Sequence, residues 1–169
     1  REVVVVYSAM HGIGHYFARR SFEKFGLKPF HSVSSQESPD PAFPTVKFPN
    51  PEEKGALNDA ILFANEVGAN LILANDPDAD RLAISELRKV ESELEPEAEL
   101  EPKWYTFSGN EIGTLLGYYM WEKYQASEAY GHGQGKPPIV VASTVSSKML
   151  RAIGQAEGFL FEETLTGFK

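Results

Sequence analysis

Asn70-Leu71-Ile72-Leu73-Ala74-Asn75-Asp76-Pro77-Asp78-Ala79-Asp80-Arg81-Leu82-Ala83-Ile84-Ser85-Glu86 reads as a strand, an acidic loop and a second strand. The run 71–74 is short and apolar, as a buried strand requires. Three carboxylates leave its end at i, i+2 and i+4. Clustered negative charges repel one another unless a positive charge sits among them. The hard divalent cations that would fill that role take oxygen ligands. Polar loops at the carboxyl ends of sheet strands are also where α/β proteins bind ligands. Arg81 closes the loop with a guanidinium suited to a phosphate. A cation and an arginine side by side are the parts that phosphoryl transfer needs.

Two other readings of the loop are open. A calcium EF-hand loop needs Gly at its sixth position and a carboxylate at its twelfth. Here those positions are Arg81 and Leu87, and no helix precedes the loop. A solvated acidic turn is the blander reading, because Asp and Pro are ordinary turn formers.

Upstream, residues 3–6 form a β-branched run expected to be a strand. A turn over 8–14 follows. The spacing then predicts a helix with Ile13, Phe17, Phe22 and Phe25 facing inward and Arg19, Arg20, Glu23 and Lys24 in water. Gly26 ends it. Residues 28–33 are a candidate strand, and 34–51 a long Pro- and Ser-rich loop. Asn50-Pro51-Glu52-Glu53 has the form of a helix start, with Leu57, Ile61, Leu62 and Ala64 as the apolar stripe and Gly68 as the stop. Strand, helix, strand, helix, strand is a parallel α/β pattern.

Downstream, residues 87–102 break the pattern. Alternating Glu with Pro96 and Pro102 buries little apolar surface, so a solvated insertion is expected there, with a domain boundary near its end. Residues 103–107 and 139–142 are candidate strands, and a further strand begins at 159–161. Helices are expected over 109–124, with Ile112, Leu115, Leu116, Tyr119 and Met120 inward, and over 146–157, with Met149, Leu150 and Ile153 inward. The fold class is α/β: two consecutive α/β domains with mixed, largely parallel sheets, the second incomplete.

The 169 residues, 42% hydrophobic and 12% aromatic, support a core. With no cysteine there is neither disulfide nor thiol chemistry. No signal peptide is apparent, and no apolar run approaches the roughly 20 residues of a membrane span. A soluble, cytoplasmic protein with no membrane partner is expected. A net charge of −8 argues against nucleic acid. Much of it is local, since Glu91, Glu93, Glu95, Glu97, Glu99 and Glu101 are all acidic.

Four further motifs carry weaker signals. Gly12-Ile13-Gly14 begins like a dinucleotide fingerprint, but Phe17 stands where the third Gly belongs. His11 is either a packed or capping residue or one that the turn brings towards a site, and the four histidines lack zinc spacing. Ser143-Thr144-Val145-Ser146-Ser147 is either an N-cap cluster or a phosphate cradle at a helix start. Thr166-Gly167 with Lys169 is either a sugar or phosphate contact or a plain turn.

Asp76-Pro-Asp-Ala-Asp-Arg81, Met10-His-Gly12, Pro49-Asn-Pro-Glu52 and Glu163-Thr-Leu-Thr-Gly-Phe-Lys169 occur in this chain. Together they resemble the α-D-phosphohexomutase superfamily. Ser108-Gly-Asn-Glu-Ile-Gly113 and Ser146-Ser-Lys-Met-Leu-Arg-Ala-Ile153 look like its branch of phosphoglucomutase 2, phosphopentomutase and glucose-1,6-bisphosphate synthase. The resemblance implies a fragment: residues 1–104 as the second of four domains, with the Glu-rich insertion at about 87–102, and 105–169 as the first part of the third, sugar-recognising domain.

By the same resemblance, Asp76, Asp78 and Asp80 bind one Mg²⁺. Arg81 contacts the phosphate and stabilises charge in phosphoryl transfer. Thr166, Gly167 and Lys169 contact the sugar phosphate. The implied activity moves a phosphoryl group between C1 and C6, or C5, through a phosphoserine enzyme. A sugar 1,6-bisphosphate serves as intermediate and activator. Partners would be sugar phosphates and the remaining domains of the same protein. The family's Ser-His-Asn-Pro loop does not occur here, so the piece alone is expected to be inactive. The alternatives are a Mg²⁺-dependent α/β phosphatase with a nucleophilic Asp, or a non-catalytic interaction domain. The sequence leaves open hexose against pentose preference, bisphosphate-synthase activity and oligomeric state.

Overall fold

The computed structural model describes residues 2–89, 102–127 and 137–166, arranged as two compact units, Arg1–Ser108 and Gly109–Lys169. In the first unit the elements are β1 (Val5–Ser8), α1 (Gly14–Lys24), β2 (His31–Ser32), α2 (Asn58–Glu66), β3 (Leu71–Asn75), β4 (Leu82–Lys89) and β5 (Pro102–Thr106). They build one five-stranded sheet of order β2-β1-β3-β4-β5. β1 runs parallel to β2 and β3, whereas β3–β4 and β4–β5 are antiparallel. The sheet is therefore mixed, and the whole is α/β as the sequence indicates.

β3 lies at the centre. It buries Ile72 and Ala74 completely, two residues apart as the strand period requires. Ile72 packs with Val6, Val33, Ala60, Ala64 and Ala69. Ala74 packs with Met10, Val46, Ala56, Leu57 and Ala83. Small residues on α2 let that helix lie close to the sheet.

Several expectations need correction. No helix starts at Asn50. The Asn50 Oδ1 does accept the Glu52 N–H at 3.1 Å, but only turns follow, because Gly55 adopts φ +87° and the helix begins at Asn58. β2 has two residues, not six. Along α1, Ile13, Phe17 and Phe25 are exposed. The helix meets the sheet through buried Gly14, and Phe22 packs edge-on against Phe30. At the acidic segment, β4 continues to Lys89 and pairs with β5, Leu87 opposite Trp104. Residues 90–101, the bulk of the expected insertion, lie outside the described residues.

The second unit contains α3 (Gly109–Gln125), β6 (Ile139–Ser143), α4 (Met149–Glu157) and β7 (Leu160–Thr164). β6 and β7 are parallel, Ile139 opposite Leu160. Two strands offer little surface to cover. Leu115, Leu116, Tyr119 and Met120 of α3 and Met149 of α4 are accordingly exposed rather than inward. Among the described residues of this unit the buried side chains are Ile112, Trp121 and Phe159, with the Trp121 and Phe159 rings 5.2 Å apart. α3 approaches α4 at Gly117, where a Cβ would stand 2.8 Å from the Leu150 methyls. No helix among the described residues is long and apolar enough to cross a membrane.

Candidate metal centre

β1 and β3 are parallel, so both end on the same edge of the sheet. The turn after β1 and the loop 76–81 after β3 thus become neighbours. β4 leaves the loop antiparallel to β3, with Leu82 opposite Asn75, so the loop is a tight return between two paired strands. Ala79 N–H donates to the Asp76 carbonyl at 2.9 Å, and Ala79 sits at φ +60°. An L-residue in that region stores strain, and such strain concentrates at functional loops.

This geometry gathers the three aspartates. One carboxylate oxygen from each of Asp76, Asp78 and Asp80 lies within 4.8 Å of the others. Magnesium with oxygens at about 2.0–2.1 Å places neighbouring oxygens about 3 Å and opposite ones about 4 Å apart. The triad lies within reach of that spacing, and two of its members, Asp78 and Asp80, are exposed. Asp76 is fully buried. Its Oδ1 accepts the Arg81 backbone N–H at 3.0 Å, and its Oδ2 accepts Arg81 Nε–H at 2.6 Å. Two bonds leave lone pairs on that carboxylate for a cation. The donor set, three hard anionic oxygens, fits Mg²⁺.

The charges within the loop are unequal. Burial pushes the Asp76 carboxyl up, but the backbone N–H, guanidinium and charge of Arg81 outweigh it and hold it below the usual carboxylate range. Asp80 is pushed up, chiefly by the negative charge of Asp78 and then by burial and Asp76. That repulsion is what a cation would relieve. Arg81 is raised by its bond to Asp76.

The turn beside the loop explains the glycines that resemble a dinucleotide fingerprint. A Cβ on Gly12 would lie 2.2 Å from Pro77 Cα, and one on Gly14 would lie 2.5 Å from the Tyr7 hydroxyl. Both glycines thus admit neighbouring residues rather than a pyrophosphate. His11 is a packed histidine: it is buried, its Nε2 is 3.0 Å from Thr45 Oγ1, and its ring meets Phe43 edge-on. Gln36 donates to the same Thr45 hydroxyl and accepts from Ser8 Oγ. The sequence reading missed Tyr7 and Asn75. Tyr7 O–H donates to Asn75 Oδ1 at 2.9 Å, and Asn75 Nδ2–H donates to the Arg81 carbonyl at 2.6 Å.

Burial pushes the Tyr7 hydroxyl up to about 12 from an ordinary 10.0. An unfolded phenol ionises first, so the folded form binds the proton more tightly. The contribution of Tyr7 to stability is therefore complete below pH 10.0 and lost as pH rises to about 12. Thermal melts between about pH 9 and 11.5 should fall more steeply for the natural chain than for Tyr7→Phe; parallel slopes would contradict this.

In the second unit, Ser147 Oγ accepts the Met149 N–H, the first of α4, at 3.1 Å, while the N-cap residue Lys148 makes no side-chain capping bond. Ser147 N–H in turn donates to Asn110 Oδ1 at 2.8 Å. Thr144 N–H pairs with the Thr164 carbonyl. Lys148 Nζ donates to Glu163 at 2.9 Å, and Arg151 pairs with the same carboxylate. Thr166 is exposed at the end of this region. Gly167 and Lys169 lie outside the described residues.

Residues 1–89 match the family model described as phosphoglucomutase/phosphomannomutase, alpha/beta/alpha domain II. The chain is 46% identical over 169 residues to phosphopentomutase of Mus musculus, covering 99% of this chain and 25% of that protein. It is 41% identical over 165 residues to glucose 1,6-bisphosphate synthase of Homo sapiens, covering 97% of this chain and 25% of that protein. A crystal structure of a phosphoglucomutase/phosphomannomutase family protein from Burkholderia thailandensis superposes with a TM-score of 0.66 at 17% identity, over 99% of this chain and 30% of that one. The chain thus spans about a quarter of the length of the curated relatives it matches.

Proposed function

Since the chain belongs to the phosphoglucomutase/phosphomannomutase family, we propose that it is the metal-bearing part of a sugar-phosphate mutase. The observation that carries this reading is the aspartate triad at the end of β3, three carboxylate oxygens within 4.8 Å of one another, with Arg81 beside it. In this reading residues 1–104 are the second of four domains and 105–169 open the third.

The reaction of the whole protein would begin with a phosphoserine from another domain. Its phosphoryl group passes to a sugar monophosphate: the serine Oγ–P bond breaks and a sugar O–P bond forms. The resulting bisphosphate turns over, and its other phosphate returns to the serine. The sugar then leaves with its phosphate moved between C1 and C6 or C5. Bound Mg²⁺ would neutralise charge on the phosphoryl oxygens. Asp76, Asp78 and Asp80 would hold that ion. Asp76 is the fixed member, because Arg81 ties both its oxygens and burial prevents it from turning. Asp78 and Asp80 are exposed and would be open to an arriving phosphate. Arg81 is half-exposed; beyond its bond to Asp76 it would lend positive charge to the transferring group. Thr166, Gly167 and Lys169 would meet the sugar phosphate.

A coupled assay tests this. The whole protein should interconvert a sugar 1-phosphate with its 6- or 5-phosphate, depend on Mg²⁺ and be stimulated by a sugar 1,6-bisphosphate. Residues 1–169 alone should show no turnover. Turnover by the isolated chain would refute the division of labour. Release of inorganic phosphate, with acyl-phosphate trapped on Asp76, would establish a phosphatase instead.

A further inference from the structure

The acidic loop is braced from below by residues that never touch its carboxylates. Tyr7, on β1, is 2% exposed, and its hydroxyl donates to Asn75 Oδ1 at 2.9 Å. The amide of Asn75 uses its other end on the Arg81 carbonyl, at 2.6 Å. Asn75 is the last residue of β3 and Arg81 the last before β4, so this one side chain spans the neck of the loop. Ile13 N–H also donates to the Pro77 carbonyl at 2.9 Å, which fixes the outgoing arm against the turn after β1. The neck determines how far Asp76 stands from Asp80. Arg81 is thus held at both of its backbone groups, its N–H by Asp76 Oδ1 at 3.0 Å and its carbonyl by the Asn75 amide at 2.6 Å.

We propose that Asn75 is a positioning residue for the cation: held by the Tyr7 hydroxyl, it closes the neck of the loop and so sets the spacing of the three carboxylates. The inference rests on the metal reading of the triad and adds a residue that governs affinity without binding the ion. Leucine at position 75 would fill a similar volume but make neither bond. The neck would then open, the carboxylates would spread, and the ion would be held more weakly. Partners that orient metal ligands are commonly worth about 10–100-fold in metal affinity.

The test uses Mn²⁺ as probe, with the free ion counted by electron paramagnetic resonance, on the whole protein and four variants. Asn75→Leu should weaken Mn²⁺ binding about tenfold or more, and Tyr7→Phe by less. Each single variant should also melt lower: Tyr7→Phe leaves the half-buried Asn75 Oδ1 without its donor, and Asn75→Leu leaves the buried Tyr7 hydroxyl and the Arg81 carbonyl without their partner. The double variant Tyr7→Phe/Asn75→Leu removes both partners of the Tyr7–Asn75 bond, which is far less costly than removing one, and leaves only the exposed Arg81 carbonyl, which water can reach. Its melting temperature should recover towards the natural value while its Mn²⁺ affinity stays low. A role confined to stability predicts that affinity recovers with the melt; that result, or natural affinity in Asn75→Leu, overturns the proposal. Asp78→Asn is the control for the premise. If it binds Mn²⁺ as well as the natural protein, the triad is not the site, and both readings fall. If it loses binding while Asn75→Leu keeps it, only the positioning role falls.

Discussion

Gly12→Ala should be the most destabilising conservative change in the first unit, lowering the melting temperature by more than about 10 °C or preventing folding. The added Cβ would stand 2.2 Å from Pro77 Cα, 2.3 Å from its carbonyl oxygen and 2.6 Å from its carbonyl carbon. All three are backbone atoms, so no side chain can rotate away. The turn itself is equally constrained. Gly12 N–H bonds to the Ala9 carbonyl at 2.7 Å and Ile13 N–H to that of Pro77 at 2.9 Å. Met10 and His11 are buried and already occupy positive φ, at 47° and 60°. Overpacking that cannot relax costs about 3 kcal/mol or more. Gly26 is the useful comparison. Its φ is +65°, yet nothing lies within 4 Å of a Cβ there, so Gly26→Ala should cost only about 1 kcal/mol of backbone strain. Thermal or urea unfolding of the two variants side by side checks this. Equal losses would mean that the turn and the acidic loop are not in contact.

Asp78→Asn should reduce turnover of the whole protein by at least about 100-fold while leaving the fold intact. Asp78 is exposed, and asparagine has nearly the same shape, so nothing in the core responds. What changes is charge: one of three anionic oxygens becomes a neutral amide. On the proposed function, Mg²⁺ would bind more weakly and the phosphoryl group would lose neutralisation in the transition state. Raising Mg²⁺ should recover the affinity part of the loss and leave the remainder. Natural turnover with an unchanged melt would remove the metal role from this residue. Asp76→Asn is a poorer probe, because it also strips the buried partner of Arg81 and disturbs the loop.

What the sequence disclosed, and what it did not, follows from the range of each signal. The apolar run 71–74 and the three aspartates are local: hydrophobicity, period and charge lie within one short stretch, and the structure has a strand at Leu71–Asn75 with the three carboxylates gathered just after it. The glycines at 12 and 14 were visible, but their purpose was not, because Pro77 is remote in sequence and becomes a neighbour only through the parallel pairing of β1 with β3. Tyr7 and Asn75 were invisible for the same reason, and no spacing rule links them. At Asn50 the local signal was real, since the capping bond forms, but Gly55 ends the turn before a helix can propagate. The faces of α1 and α3 misled differently. Helical spacing identifies an apolar stripe but not whether an element lies opposite it, and a two-stranded sheet cannot cover all of α3.

The claim on which the rest depends is that one divalent cation sits among Asp76, Asp78 and Asp80. Crystals of the whole protein grown with Mn²⁺ and measured at the manganese edge test it most directly. A single anomalous peak within about 2.3 Å of an oxygen from each of the three aspartates is the result expected. A peak elsewhere, or none at saturating Mn²⁺ with Asp78 and Asp80 turned out into solvent, would contradict it.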